Sequence, residues 1–198
     1  MNSNRVLTPF VVTGNPDTVN VAPGPPASLM NGDSFIRRGE LGAQYDCNRN
    51  GRGWKYQLVQ LDSGATASTT IGLVAANQLA YWKDKSNYIV TNDYRFSEAG
   101  DGGATAAYAN FVAGVFRTSV TAGNACFVLQ VGYNVPVKST SGLNAVGQIV
   151  VANTSTPAAD VTTTTGVGTA PSYRSLGVCH VPNSNNIAYV DLDIGTID

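Results

Sequence analysis

Residues 111–137 read FVAGVFRTSVTAGNACFVLQVGYNVPV, and their pattern decides the fold class. Two apolar, β-branched runs, Phe111–Phe116 and Ala125–Val131, flank a polar link of small residues, Thr118–Asn124, that ends in Gly123-Asn124. Strand-like runs around a short Gly/Asn link spell a β-hairpin. The second run is apolar without alternation, so burial on both faces is expected. Pro136 is expected to end the hairpin, because proline cannot donate to a ladder.

The same phrase returns near the C-terminus. Leu176-Gly177-Val178-Cys179-His180 answers Ala113-Gly114-Val115-Phe116-Arg117, and Asn186-Ile187-Ala188-Tyr189-Val190 answers Asn124-Ala125-Cys126-Phe127-Val128. One residue is lost between the two halves of the match, in the turn, where a hairpin tolerates a deletion. Two related hairpin units, 105–137 and 171–195, are therefore expected.

Composition narrows the class. Charged residues make up 13% of the 198-residue chain, against about 25% in an average domain. Gly, Ala, Val and Thr dominate, which favours strands and turns. A low-charge surface of Thr, Ser and Asn suits a protein packed into an assembly, and equally a hardy secreted β domain. The net charge is −1, with no basic stripe, so nucleic acid is not an expected partner. No apolar run is long enough for a transmembrane helix, and the N-terminal residues lack a leader pattern, so neither membrane insertion nor export is expected. Three distant cysteines, Cys47, Cys126 and Cys179, suit a reducing cytoplasm better than a disulfide framework.

Residues 1–27 carry Pro9, Pro16, Pro23, Pro25 and Pro26 and are expected to run extended. A flexible tail and an arm laid on a neighbouring subunit both fit. Phe10, Val11, Val12, Val19 and Val21 are apolar anchors that a bare linker does not need, and they favour the arm. Residues 28–198 read as a β-rich body. Strands are expected at Trp54–Leu61, Ile71–Ala75, Tyr88–Thr91 and Gly147–Ala152, with Leu79–Lys83 a short strand or a helical turn. Thr154–Thr169 reads as an exposed loop or strand edge. The spacing of these elements implies an all-β fold, a compact β-barrel or sandwich with an extended Pro-rich N-terminal arm.

Patterns that would carry chemistry are thin. His180 is the single histidine, and Cys179 beside it would point to the opposite face of a strand. Zinc ligation would need Cys-x-x-Cys pairs that are missing. Asp46-Cys47-Asn48-Arg49-Asn50-Gly51 resembles half of a calcium loop, but Gln57 stands where a bidentate Glu is needed, so a polar β-turn is expected. No cofactor, metal or catalytic residue is assigned, and no enzymatic activity is expected. Tyr81, Trp82, Tyr88 and Tyr94 could form a glycan-stacking face or serve as core and interface aromatics.

Two segments, YQLVQLDSGATASTTIGLVAANQLAYWKDKSNYIVTND (56–93) and NFVAGVFRTSVTAGNACFVLQVGYNVPV (110–137), resemble the small β-rich head decoration, or cement, proteins encoded beside the major capsid protein in tailed bacteriophages. The resemblance implies a virion protein made in the host cytoplasm that binds the outer capsid surface and stabilises capsomers. Its implied partner is the major capsid protein; a homotrimer is the expected assembly because it would match the three-fold sites of a capsid, and the expected contacts are those of the arm. Another virion component (capsid, tail tube or head-fibre subunit) and a carbohydrate-binding or adhesin module are the alternatives.

Overall fold

The computed structural model describes residues 16–20, 41–49, 51–64, 74–93, 112–140, 142–153, 161–163 and 175–194. The chain is all-β. Apart from a 3-10 turn at Pro16–Thr18, its elements are β1 (Gln44–Arg49), β2 (Arg52–Leu61), β3 (Leu79–Asp84), β4 (Ile89–Thr91), β5 (Val112–Phe116), β6 (Ala125–Lys138), β7 (Ile149–Ala152), β8 (Val161–Thr163), β9 (Gly177–Ser184) and β10 (Ile187–Asp193). They form one sheet in the order β1-β2-β4-β3-β5-β6-β10-β9-β7-β8, and β2 also pairs with β6.

That sheet closes on itself twice. Strands β2, β4, β3, β5 and β6 make a ring, sealed by the parallel pair β2–β4 and the antiparallel pair β2–β6. Strands β6, β10, β9, β7 and β8 make a second ring, sealed by a parallel bridge between Ser139 and Val161. Thr140 reinforces this seal, its N–H donating to Val161 O at 3.0 Å and its hydroxyl to Thr162 Oγ1 at 3.0 Å. Within the rings closure removes the open edges through which β proteins aggregate, while β1, outside them, pairs with β2 on one side.

The two rings have the same topology and the same register. Val115↔Leu129 and Phe116↔Val128 in the first correspond to Val178↔Asp191 and Cys179↔Val190 in the second. Leu79↔Val115 and Ala80↔Gly114 correspond to Ile149↔Val178 and Val150↔Gly177. Trp82↔Val90 matches Ala152↔Val161, and Val59↔Cys126 matches Val137↔Ala188. Even the entry turns agree. Ala75 N–H donates to Gln78 Oε1 at 3.0 Å, as Ala145 N–H does to Gln148 Oε1 at 2.9 Å. Asn77 and Gly147 both hold positive φ, 69° and 84°.

Side chains fill both rings. Val59, Ala80, Trp82, Val90, Phe116 and Cys126 meet in one buried cluster to which all five strands of the first ring contribute, which marks it as the inside of a barrel. Their register counterparts in the second ring, Val137, Val150, Ala152, Val161, Cys179 and Ala188, lie in the other cluster. That larger cluster also takes in Tyr56, Leu58, Leu79, Tyr81, Phe127 and Leu129 from the outside of the first barrel, so one apolar seam joins the two bodies.

Strand β6 serves both barrels by bending. Ala125–Gln130 are buried throughout, as the unalternating sequence implies. At Gly132–Asn134 the pairing with β10 slips by one residue, and Asn134 has φ 53°. A Cβ on Gly132 would stand 2.9 Å from Val135 Cγ2 and 3.2 Å from Leu129 Cδ2, so the fold-back needs a glycine there.

Several expectations change. Pro136 does not end the strand. Ser139 N–H donates to Asn186 O, and alternation then turns the Pro136 nitrogen away from β10, so no ladder bond is lost. Leu79–Asp84 is a strand rather than a helical turn, and Tyr88 is a turn residue with φ 56°. The polar turn expected at 46–51 is shorter than that: β1 runs through Asp46 to Arg49, and Arg49 pairs with Arg52. Val161–Thr163, within the Thr-rich stretch, is a buried strand paired with β7 and bridged to Ser139 rather than an exposed loop or edge, and the rest of 154–169 lies outside the described residues. Val74 and Ala75 lie in no strand, while 71–73, and most of the arm, lie outside the described residues.

The equivalent glycines carry the first prediction. A Cβ on Gly114 would meet Leu129 O and Val128 Cβ at 2.8 Å, and one on Gly177, at φ 143°, would run into the Asp191 carbonyl. Gly114→Ala and Gly177→Ala should each lose about 2–4 kcal/mol. Gly53→Ala, with open space around it, should stay within about 0.5 kcal/mol, with urea midpoints as the measure.

Candidate functional site

The best-defined polar constellation pins a short piece of the Pro-rich segment to the first barrel. Asp17, in the turn started by Pro16, accepts from Arg49 Nη1 at 2.8 Å and from the Tyr56 hydroxyl at 2.9 Å. Arg117 Nε stands 3.5 Å from Asp17 Oδ1, within ion-pair reach but without hydrogen-bond geometry. Arg49 in turn lies over Trp54 at 4.8 Å and over Tyr56 at 5.7 Å, so its charge is held between a carboxylate and two ring faces. Burial and the neighbouring Asp17 both raise the Tyr56 phenol pKa, which keeps that hydroxyl a donor. Partial burial is the largest single influence on Arg49 and works against its charge, but the Asp17 hydrogen bond together with the fields of Tyr56, Asp17 and Cys47 outweighs it, and the net shift is upward.

Asn20 fastens the other end. Its Oδ1 accepts from Thr121 N at 3.2 Å and Asn124 Nδ2 at 2.8 Å, in the turn between β5 and β6. Between these two anchors Val19 packs on the apolar seam of its own chain. Of the five expected arm contacts, Val19 is thus engaged within the molecule, and Phe10, Val11, Val12 and Val21 lie outside the described residues. Sequence reasoning missed Asp17, Asn20, Arg49 and Arg117, although Asn15-Pro16-Asp17 is a turn signal.

A second feature is the outer face of the second barrel. Ile149, Val178, Val181 and Tyr189 are exposed there as two apolar pairs, Ile149 opposite Val178 and Val181 opposite Tyr189, with Val178 also opposite Asp191. Beside them the Tyr133 hydroxyl meets His180 Nε2 at 3.2 Å, and His180 Nδ1 lies 3.8 Å from Asp191 Oδ2. Arg52 stands 3.5 Å above the Tyr133 ring. Cys179 points inward while its neighbour His180 points outward, and Cys126 lies inside the first barrel, so neither thiol joins the histidine.

The aromatic face does not form as a stacking platform. Tyr81 and Trp82 are buried on opposite sides of β3, Tyr81 in the seam and Trp82 inside the first barrel, because adjacent strand residues alternate. Tyr94 lies outside the described residues. Tyr88 meets Trp82 edge-on at 6.3 Å and borders an open cleft of about 490 Å³ of mixed lining, with Leu41, Leu61 and Ile89 beside Gln60, Asp62 and Asn87. Lys83 pairs with Asp62 at 2.7 Å on that side. Hydrogen bonds from Asn87 and Ser86 hold the Asp84 carboxyl below its usual range.

Among the described residues no group of three His, Cys, Asp or Glu side chains converges as metal ligands would. The half-calcium-loop sequence is a strand and hairpin instead, with Asp46 paired to Lys55. Comparison with protein-family models, curated proteins and solved structures returns no match for the chain.

Two outcomes are expected. Asp17→Ala removes the acceptor that Arg49 and Tyr56 share and the carboxylate beside Arg117, and should lower stability by about 1–3 kcal/mol, with faster proteolysis near residue 20. Burial pushes the Cys126 thiol up to about 12 from its ordinary 9.0, so the unfolded chain loses that proton first as pH rises. Stability should then fall between pH 9 and 12, by up to about 1.4 kcal/mol per pH unit for this group. The slope of urea midpoint against pH should shrink in Cys126→Ala, even though its starting stability is lower.

Proposed function

We propose that this chain is a non-enzymatic structural protein of a virus particle that binds the outer surface of a phage capsid and stabilises capsomers. The resemblance of residues 56–93 and 110–137 to head decoration proteins suggested it, and the anchored strap is the observation that carries it. Pro16–Asn20 sits within a five-proline segment and is pinned to the first barrel by Asp17 and Asn20. Proline-rich chain on both sides therefore starts from a fixed point on a rigid body. Chain tethered in that way meets a neighbouring surface with less entropy to lose than a free tail. At about 25 cal/mol per Å² of apolar area, a modest contact repeated over a shell adds up.

The proposed partner is the major capsid protein, with the chain arranged as a homotrimer on the particle. The carbohydrate-binding alternative now depends on the cleft beside Tyr88, since Tyr81 and Trp82 are buried. The deciding experiment is cryo-electron microscopy with mass spectrometry of purified particles of the virus that encodes the chain. Density for a two-barrel body outside the shell is expected. A particle without the chain overturns the proposal, and glycan binding lost in Asn87→Ala would then favour the cleft.

A further inference from the structure

The joint between the barrels holds a hydrogen bond as well as the apolar seam. Lys138 lies in the half of β6 that pairs with β10, yet its N–H donates to Asn77 O at 2.7 Å, in the turn that enters β3 of the first barrel. Asn77 is itself fixed twice. Its N–H donates to Phe116 O at 2.7 Å, and its side-chain Oδ1 accepts from Arg117 Nη1 at 3.2 Å. The second barrel repeats the first of these bonds, from Gly147 N to Cys179 O at 2.9 Å, but not the second. Gly147 has no side chain, and His180 stands where Arg117 does. The turn therefore closes without the Arg117–Asn77 bond, which is an addition made only at the joint.

Arg117 also faces the strap. Its Nε stands 3.5 Å from Asp17 Oδ1, and the two side chains are only 12% and 15% exposed. Ion pairs in open water are worth little, but this one is mostly out of water. Without the carboxylate, Arg117 is left with a partly buried charge, and moving it out to water breaks its bond to Asn77. Strap, Arg117, Asn77 and the second half of β6 thus stand in one unbroken series of contacts. Val19 adds an apolar one, packed on the cluster that holds residues of both barrels.

We propose that the strap is a latch on the joint between the two barrels. Seating Asp17 holds Arg117 against Asn77, and Asn77 in turn holds the second-barrel half of β6 through Lys138. The linkage is reciprocal: whatever keeps the strap seated tightens the joint, and a loosened joint releases the strap. The proposal goes beyond the capsid reading and does not rest on it. A chain missing from particles would leave the latch standing, and a failed latch would leave capsid binding untouched.

The test is amide hydrogen exchange of the full-length chain, read by NMR as the ratio of two rates. Lys138 N–H reports the joint, and Cys179 N–H, which donates to Gln148 O at 2.9 Å, reports the second barrel itself. Asp17→Ala should speed exchange at Lys138 about tenfold more than at Cys179. Asn77→Gly keeps the backbone acceptor and suits the φ of 69° while removing the side-chain link. In that background the extra effect of Asp17→Ala on Lys138 should vanish. Equal acceleration of both amides would reduce the strap to general stabilisation and overturn the proposal. So would an effect of Asp17→Ala that persists undiminished in Asn77→Gly. Should Asp17→Ala fail to fold, Asp17→Asn, which keeps an acceptor oxygen but removes the charge facing Arg117, is read by the same ratio and the same cycle.

Discussion

One strand has to satisfy two barrels. Every buried backbone N–H and C=O needs a partner, and a closed ring supplies partners on both sides of each strand. Ala125–Gln130 finds them in β2 and β5, while Val135–Ser139 finds them in β10 and at Val161 of β8. The change of partners is possible only where the strand leaves one ring and enters the other. Gly132 and Asn134 make that turn, and the apolar seam then brings Leu129 of the first body against Val135 of the second. Remove the bend and neither seam nor second ring can form.

The strap obeys a different logic. Asp17 brings one negative charge to a place where Arg49 and Arg117 converge, and Tyr56 adds a neutral donor. A partly buried guanidinium without a carboxylate is expensive, so the barrel depends on a residue far from it in sequence to balance Arg117. The strap is thus part of the body's electrostatics as well as an attachment to it.

Much of the fold was legible in the sequence because its signals were local. Both hairpins follow from apolar runs flanking Gly123-Asn124 and Asn185-Asn186, and the echo between them matches the observed register residue for residue. A further echo, Ala75–Trp82 against Ala145–Ala152, was less visible. Only alanine and glutamine repeat there, although the Gln78 and Gln148 side chains make the same turn bond. What stayed hidden was non-local. Pro136 inside a strand depends on which edge is paired, and the burial of Tyr81 and Trp82 on opposite sides depends on ring closure. The clamp joins Asp17 to Arg49 and Arg117, a pairing that no spacing rule predicts. The exposed apolar pairs were invisible because Ile149, Val178 and Tyr189 resemble their buried counterparts by residue type.

Sharing a strand also puts the two barrels in an order of time. All five strands of the first are present once residue 131 has been synthesised, and its cage of hydrogen bonds can close before the rest of the chain exists. The second begins on a strand already half committed to the first, and it must wait for residues near the C-terminus. The first barrel is in effect the template on which the second is laid, and an early error in β6 would be inherited by both.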